Sequence, residues 1–347
     1  MSDVLVRLEA GVGRLSLNRP QALHALNTGM CRQIIEALQS WRNNPSVQLI
    51  LLDHTGERGF CAGGDIRMLA ESGAGDGDAA REFFRIEYQL NHLIFEYPKP
   101  IVTIMDGVTM GGGVGLAAPS RYRIATERTI FAMPETGIGL FPDVGGGWFL
   151  PRMPGHIGRW LALTGARLRA ADCELVGMAT DFIPTDQIEA FKQRLLADPE
   201  AVETLLTEFE GDAGRPPIAA IQDEIDNAFG QPSLEAIFDT LKASGSDWAK
   251  AQLAVLATKS PQTLRVAFRQ LHLGGAAGSF AQNMEMEFRI GARVIHLHDF
   301  QEGVRAVIID KDNAPKWSPA AISEVSDALL DTIFSPLPPE ESWTPLT

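Results

Sequence analysis

The chain's apolar strands repeatedly run into dense glycine, and this most narrows what it can build. Four such stretches occur. They are Gly59-Phe60-Cys61-Ala62-Gly63-Gly64-Asp65-Ile66, Asp106 through Gly115, Met133-Pro134-Glu135 through Leu140-Phe141-Pro142-Asp143, and the adjoining Gly145-Gly146-Gly147. Each ends an apolar strand or opens a helix. Residues without a Cβ let backbone approach a ligand closely and free N–H groups to point at it. Two such N–H groups from separate loops could make an oxyanion hole. Any one run alone is weak, since most glycine-rich turns are only turns. A dinucleotide fingerprint is excluded for the second run. The spacing Gly107, Gly111, Gly112 is not Gly-x-Gly-x-x-Gly, and no acid follows at the required distance.

The elements between the glycines read as α/β. Val4, Val6 and Leu8 alternate with polar residues, and Leu15 and Leu17 resume after Ala10-Gly11-Val12-Gly13, which predicts a hairpin. Asn27-Thr28 caps a helix with Met30, Ile34, Leu38 and Trp41 on its apolar face. The runs 47–52 and 101–105 predict strands buried on both faces. Between them a helix from about Ala79 to Tyr97 shows Phe83, Ile86, Leu90, Leu93 and Ile94 on one side. Strand, glycine turn and helix recur to about Gly165, and strands alternating with helices argue for an α/β protein. From about residue 185 the chain becomes helical, with breaks at Gly211 to Pro217 and Gly230 to Ser233. The expected division is residues 1–185 as core and 186–347 as helical extension. Ser335 to Thr347 carries four prolines and is expected to be a loose tail.

Composition removes several function classes. A formal net charge of -14 without a basic cluster argues against nucleic-acid binding. Three widely spaced cysteines, Cys31, Cys61 and Cys173, make a poor disulfide framework and suit a reducing compartment. No signal sequence or 18-residue apolar run is visible, so the expectation is a cytoplasmic protein without a membrane partner. No Gly-x-Ser-x-Gly elbow is present, which disfavours a serine thioesterase. His296 and His298 lack companions at a metal-like spacing, and no metal site is expected.

Taken together and in order, the segments resemble the crotonase superfamily. Leu17-Asn18-Arg19-Pro20 through Asn27 is similar to its opening motif, and Phe60 to Ile66 and Gly107 to Leu116 to its two oxyanion loops. Met133-Pro134-Glu135 is similar to its catalytic-glutamate segment, and Asp299 to Ala306 to the segment closing the acyl pocket. The resemblance covers roughly residues 4–180 and 250–317. It implies a crotonase-like ββα spiral with a C-terminal helical region, an acyl-CoA substrate and a trimer-based homo-oligomer. Oxyanion donors would be the N–H groups of Gly64 and Gly112. CoA would lie along Arg58, Ala62, Asp65 and Ile66, with the helix starting near Asp65 presenting N–H groups to phosphate.

Departures from the superfamily pattern sharpen the activity. Hydratases use two glutamates, one of them three residues after the oxyanion glycine of the second loop. Here that position is Gly115. The other, Glu135, is present, and a new acid, Asp143, stands eight residues later. Two carboxyls on one turn suit divided acid–base or acyl-transfer roles. Ala132 to Gly147 and Asp310-Lys311-Asp312-Asn313-Ala314-Pro315-Lys316-Trp317 resemble the 3-hydroxyisobutyryl-CoA hydrolases within the superfamily. Glu87 lies on the apolar face of its helix, where a carboxylate is costly unless bonded. The resemblance makes it a substrate-binding residue together with Gly112, Glu135 and Asp143. The expected reaction is thioester hydrolysis without a cofactor, coenzyme A being part of the substrate. The alternatives are an enoyl-CoA hydratase or isomerase, and a CoA-binding regulator without turnover. Cys61 is expected to be a small packing residue.

Overall fold

The computed structural model describes residues 2–346. Among these residues eight strands form: β1 (Val4–Glu9), β2 (Val12–Leu17), β3 (Leu49–His54), β4 (Ile101–Met105), β5 (Val108–Met110), β6 (Tyr122–Ala125), β7 (Ile130–Ala132) and β8 (Asp181–Phe182). Six make one sheet in the order β1-β2-β3-β4-β6-β8, and β5 pairs with β7 apart from it. Among the described residues the β1–β2 hairpin is the only antiparallel pair of strands. Every other neighbouring pair is parallel. Parallel strands need long crossovers, and the helices between them supply these. They are α1 (Thr28–Arg42), α2 (Ile66–Gly73), α3 (Asp78–Phe95), α4 (Gly112–Ala117), α5 (Gly146–Phe149), α6 (Ile157–Thr164) and α7 (Ala170–Leu175).

Local chemistry explains the boundaries. The Asn27 side chain accepts from Met30 N at 2.8 Å, which starts α1 where the sequence predicts. β3 begins two residues later than the apolar run, since Val47 is buried in the turn before it. α3 stops at Phe95. Tyr97 lies beyond it and donates its hydroxyl to Leu38 O at 2.7 Å.

Residues of the helical region cover one face of the sheet and pack on the helices that lie over the other. They form α8 (Thr185–Ala197), α9 (Val202–Phe209), α10 (Gln222–Phe229), α11 (Leu234–Ser244), α12 (Asp247–Leu256), α13 (Pro261–Gly275), α14 (Phe280–Val294), α15 (His298–Val304) and α16 (Asp327–Phe334). On one face Leu49, Leu51, Val102 and Ile104 pack with Phe191 and Leu195 of α8 and Leu205 of α9. The alternate residues Leu15, Ile50 and Leu52 belong to the larger cluster, with α1, α3 and α14. Phe95 of α3 stacks on Phe280 of α14 with centroids 4.3 Å apart.

Residues 335–346 are not a loose tail, and Thr347 lies outside the described residues. Trp343 is only 3% exposed and donates Nε1–H to Arg85 O at 3.2 Å. Arg85 in turn donates to Ser342 O at 2.7 Å and Glu341 O at 2.6 Å. The prolines prevent a helix, but an extended segment can still bury an aromatic ring, here edge-on to His92.

Candidate active site

Two glycine loops are held together by main-chain bonds. Cys61 N donates to Val108 O at 2.9 Å, and Met110 N donates to Cys61 O at 2.9 Å. This short parallel bridge sets Gly63-Gly64 beside Gly111-Gly112. Gly111 has φ +48° and Gly63 φ +121°, and a Cβ on Gly63 would lie 3.8 Å from Gly112 N. Gly112 opens α4, so its N–H has no intrahelical acceptor. Among the described residues neither it nor the Gly64 N–H donates to another protein group.

Both N–H groups belong to residues lining a cavity of about 710 Å³. Its wall carries the acids Glu87, Glu135 and Asp143, the cation Lys259, and apolar side chains including Leu69, Phe83, Phe84 and Leu140. Val307, Ile308, Asn313, Ala314, Pro315 and Trp317 line it from the C-terminal region. Arg305 secures that segment by bonding Glu302, Asp310 and Asp312.

Each acid arrives from a different element. Glu87 projects from α3, and a Cβ on Gly112 would lie 2.5 Å from its Oε1. Glu135 opens a short 3₁₀ turn after β7, and a Cβ on Gly111 would lie 3.1 Å from its Oε1. Both carboxyls therefore approach the second loop, and side chains at either glycine would displace them. Asp143 follows eight residues on, and its Oδ2 accepts from the Tyr88 hydroxyl at 2.9 Å. The chain turns sharply after it, with Val144 at φ 51° and Gly145 at φ 95°. Glu287 of α14 holds that turn, accepting from Gly145 N at 2.7 Å and Gly147 N at 2.8 Å. Gln270 bridges the two, donating to Pro142 O at 2.6 Å and Glu287 Oε1 at 3.0 Å.

The electrostatics are unusual for three acids in one cavity. Glu87, Glu135 and Asp143 are 2%, 5% and 5% exposed. Burial pushes Glu87 well above the ordinary carboxyl range, and the Asp143 and Glu135 charges add to it. Burial and Asp143 also raise Glu135, with Lys259 opposing. Burial lifts Asp143 to about 7 against the Tyr88 hydrogen bond. Among the described residues Glu87 Oε1 and Glu135 Oε2 are buried without a partner. Unsatisfied buried oxygens are costly and rare, and at the wall of a cavity they are where a ligand's donors would go.

The sequence-predicted residues divide. Gly64, Gly112, Glu87, Glu135 and Asp143 converge on the cavity, joined by Ala62 and Ile66. Arg58 is exposed and does not line it. Asp65 does not line it either. It caps α2, accepting from Met68 N at 3.4 Å, and pairs with Arg19 at 3.3 Å. Gly115 is walled off from the cavity. A Cβ there would lie 2.6 Å from Val144 Cβ and 2.8 Å from Asn91 Nδ2. Cys61 is fully buried, bonds His24 O at 3.2 Å, and has its thiol pushed up to about 12 by burial. His296 bonds Gly73 O, and His298 bonds Asp299. Sequence reasoning passed over Tyr88, Lys259 and Glu287. Glu287 carries the same signal as Glu87, a carboxylate among Met284, Phe288 and Ile290 on an apolar helix face.

The family described as enoyl-CoA hydratase/isomerase matches residues 12–334. The chain belongs to this crotonase family. A zebrafish (Danio rerio) relative named mitochondrial 3-hydroxyisobutyryl-CoA hydrolase is 45% identical, over 97% of this chain and 90% of its own. The human (Homo sapiens) protein of the same name is 40% identical over 96% and 89%. Two solved crotonase-family structures are similar along the whole chain. One is titled a carnitinyl-CoA dehydratase from Mycobacterium thermoresistibile (TM-score 0.94, 39% identity, 98% of both chains). The other is titled an enoyl-CoA hydratase from Rhodobacter sphaeroides 2.4.1 (TM-score 0.92, 39% identity, 99% of this chain and 100% of that one).

Proposed function

We propose that this crotonase-family member hydrolyses 3-hydroxyisobutyryl-CoA, or a similar short branched 3-hydroxyacyl-CoA, to the free acid and CoA, as in valine breakdown. The observation that carries this is the pairing of Glu135 with Asp143 on the cavity wall, while Gly115 is packed too tightly against Val144 and Asn91 for a second hydratase acid. The relatives named as hydrolases support it across most of the chain.

In this mechanism the Gly64 and Gly112 N–H groups hold the thioester oxygen and stabilise the tetrahedral intermediate. Glu135 attacks the carbonyl or activates water, and the thiolate leaves. Asp143, oriented by Tyr88, contacts the 3-hydroxyl and protonates the leaving group, a task suited to an acid lifted to about 7. Glu87 Oε1 takes a donor from the substrate. Ala62 and Ile66 flank the CoA arm, with Arg58 and Asp65 further out. The reaction needs no metal and no redox cofactor. The assembly is a trimer-based homo-oligomer, which light scattering tests. Among the described residues no helix is long and apolar enough to cross a membrane. For compartment, the mitochondrial names of the relatives run against a cytoplasmic assignment. The reading keeps a reducing compartment, suited to three buried free cysteines.

The second reading, an enoyl-CoA hydratase, is favoured by the titles of the two similar structures. One assay separates them. Free thiol is measured with 3-hydroxyisobutyryl-CoA, and loss of enoyl absorbance with crotonyl-CoA. Thiol release with little hydration is expected. Efficient hydration with negligible thiol release would replace the hydrolase reading.

A further inference from the structure

Three rings of α3 stand in a row beside the cavity. Phe83 and Phe84 both line it. A Cβ on Gly64, in the first glycine loop, would lie 3.1 Å from the Phe83 ring. The Phe84 ring comes next, its centroid 6.1 Å from that of Phe83 and 5.6 Å from that of Tyr88. Tyr88 in turn donates its hydroxyl to Asp143 at 2.9 Å. Phe84 therefore sits between the ring at the glycine loop and the ring that holds Asp143. Its far side meets α14 at Gly291, where a Cβ would come within 3.2 Å of Phe84 Cδ2 and Cε2. Gly291 lies inside the helix and is not at a positive φ, so no turn calls for glycine there. The missing side chain is what lets the Phe84 ring reach the helix backbone. With Phe84 only 1% exposed, the ring fills the space from the cavity to α14.

Resting on the hydrolase reading, we propose that Phe84 is a specificity-determining residue: its ring, backed by α14 at Gly291, closes the acyl end of the cavity and limits the enzyme to short acyl chains. In that reading the thioester carbon lies at the Gly64 and Gly112 donors and the 3-hydroxyl at Asp143. Phe84 joins those two places, so it stands where an acyl chain would continue past C3. In 3-hydroxyisobutyryl-CoA no carbon lies beyond C3, and the ring is no obstacle. A longer chain needs the place that the ring occupies. The ring has no slack to yield it, because a close-packed interior resists added volume and the helix backbone lies directly behind. Without the ring the cavity would run on to α14, and each further methylene buried there would gain about fourfold.

The experiment measures kcat/KM by thiol release for 3-hydroxyisobutyryl-, 3-hydroxybutyryl- and 3-hydroxyhexanoyl-CoA. It compares wild type with Phe84→Ala and the milder Phe84→Leu, with folding checked by circular dichroism. Wild type should fall off steeply at the longest chain. In Phe84→Ala the ratio of 3-hydroxyhexanoyl- to 3-hydroxybutyryl-CoA should rise about tenfold, since the extra methylenes gain a buried place, and in Phe84→Leu by less. A structural role lowers all three substrates together and leaves the ratio where it was. An unchanged ratio in both variants therefore overturns the proposal, as does a wild type that takes the long chain as readily as the short. Adding Gly291→Leu to Phe84→Ala refills the gap from the other side and should bring the ratio back toward wild type. A ratio that stays high overturns the placement of the new room against α14. Calorimetric binding of S-butyl- and S-hexyl-CoA thioethers, which cannot be hydrolysed, reads the same preference without turnover. If wild type releases no thiol, the hydrolase reading falls and this binding arm alone judges Phe84. Affinity for the hexyl over the butyl thioether should rise in Phe84→Ala, and an unchanged preference overturns the assignment.

Discussion

A buried acid held for chemistry sets a cost on the fold that pH can expose. Asp143 is lifted to about 7 by burial, against about 4 for an ordinary aspartate. While protonated it sits in the core without penalty. As pH rises from about 4 through 7 the folded protein must ionise it in place, and stability is lost over that window. Asp143→Asn keeps an acceptor for Tyr88 and removes the ionisation. It should therefore melt higher than wild type at pH 8, with the difference vanishing near pH 4, while thiol release falls. Equal melting at both pH values, read by calorimetry, would remove the buried-acid account. Single residues were unevenly legible in the sequence. Glu87 stood out because a carboxylate interrupted an apolar helical face, and Asp143 because it followed Glu135 across a glycine-rich turn. Lys259 gave no such sign, since its neighbourhood is assembled from Gly137 and Gly165, far away in sequence.

At the scale of elements, caps and periodicity placed α1 and β4 well, because local hydrogen bonds fix where those segments start. The C-terminal segment was misjudged for the opposite reason. Proline content speaks to helix formation, whereas Trp343 is held by long-range contacts to Arg85 and His92 of α3. The same helix carries Glu87 and Tyr88, so the tail braces the element that delivers two groups to the cavity. Trp343→Ala should cost about 3–5 kcal/mol, as expected for truncating a buried aromatic. Denaturant unfolding measures it, and a loss below about 1 kcal/mol would mean that the ring contributes little packing. Asp65, which marks α2's N-terminus in sequence, caps that helix through one main-chain N–H.

For the whole molecule, the sheet and the helical region stabilise each other. Phe191 and Leu195 cover one face, and Phe280 and Phe288 of α14 join α1 and α3 over the other. A fragment ending at residue 185 would expose both surfaces and lose Lys259, Gln270 and Glu287. It should fail to give a soluble monomer with a cooperative thermal transition, as sedimentation and circular dichroism would show. A well-folded fragment would mean that the first half is self-sufficient. The bridge between the two glycine loops has a different kind of consequence. Cys61, Val108 and Met110 hold the loops through peptide groups, and the two free donors are peptide groups as well. No side-chain exchange elsewhere in the cavity can delete either donor. Substitutions at Glu87, Asp143 and Lys259 are thus free to redirect what happens to a polarised thioester while the apparatus that polarises it is inherited intact, so directed evolution of new acyl-CoA chemistry has a fixed point from which to start.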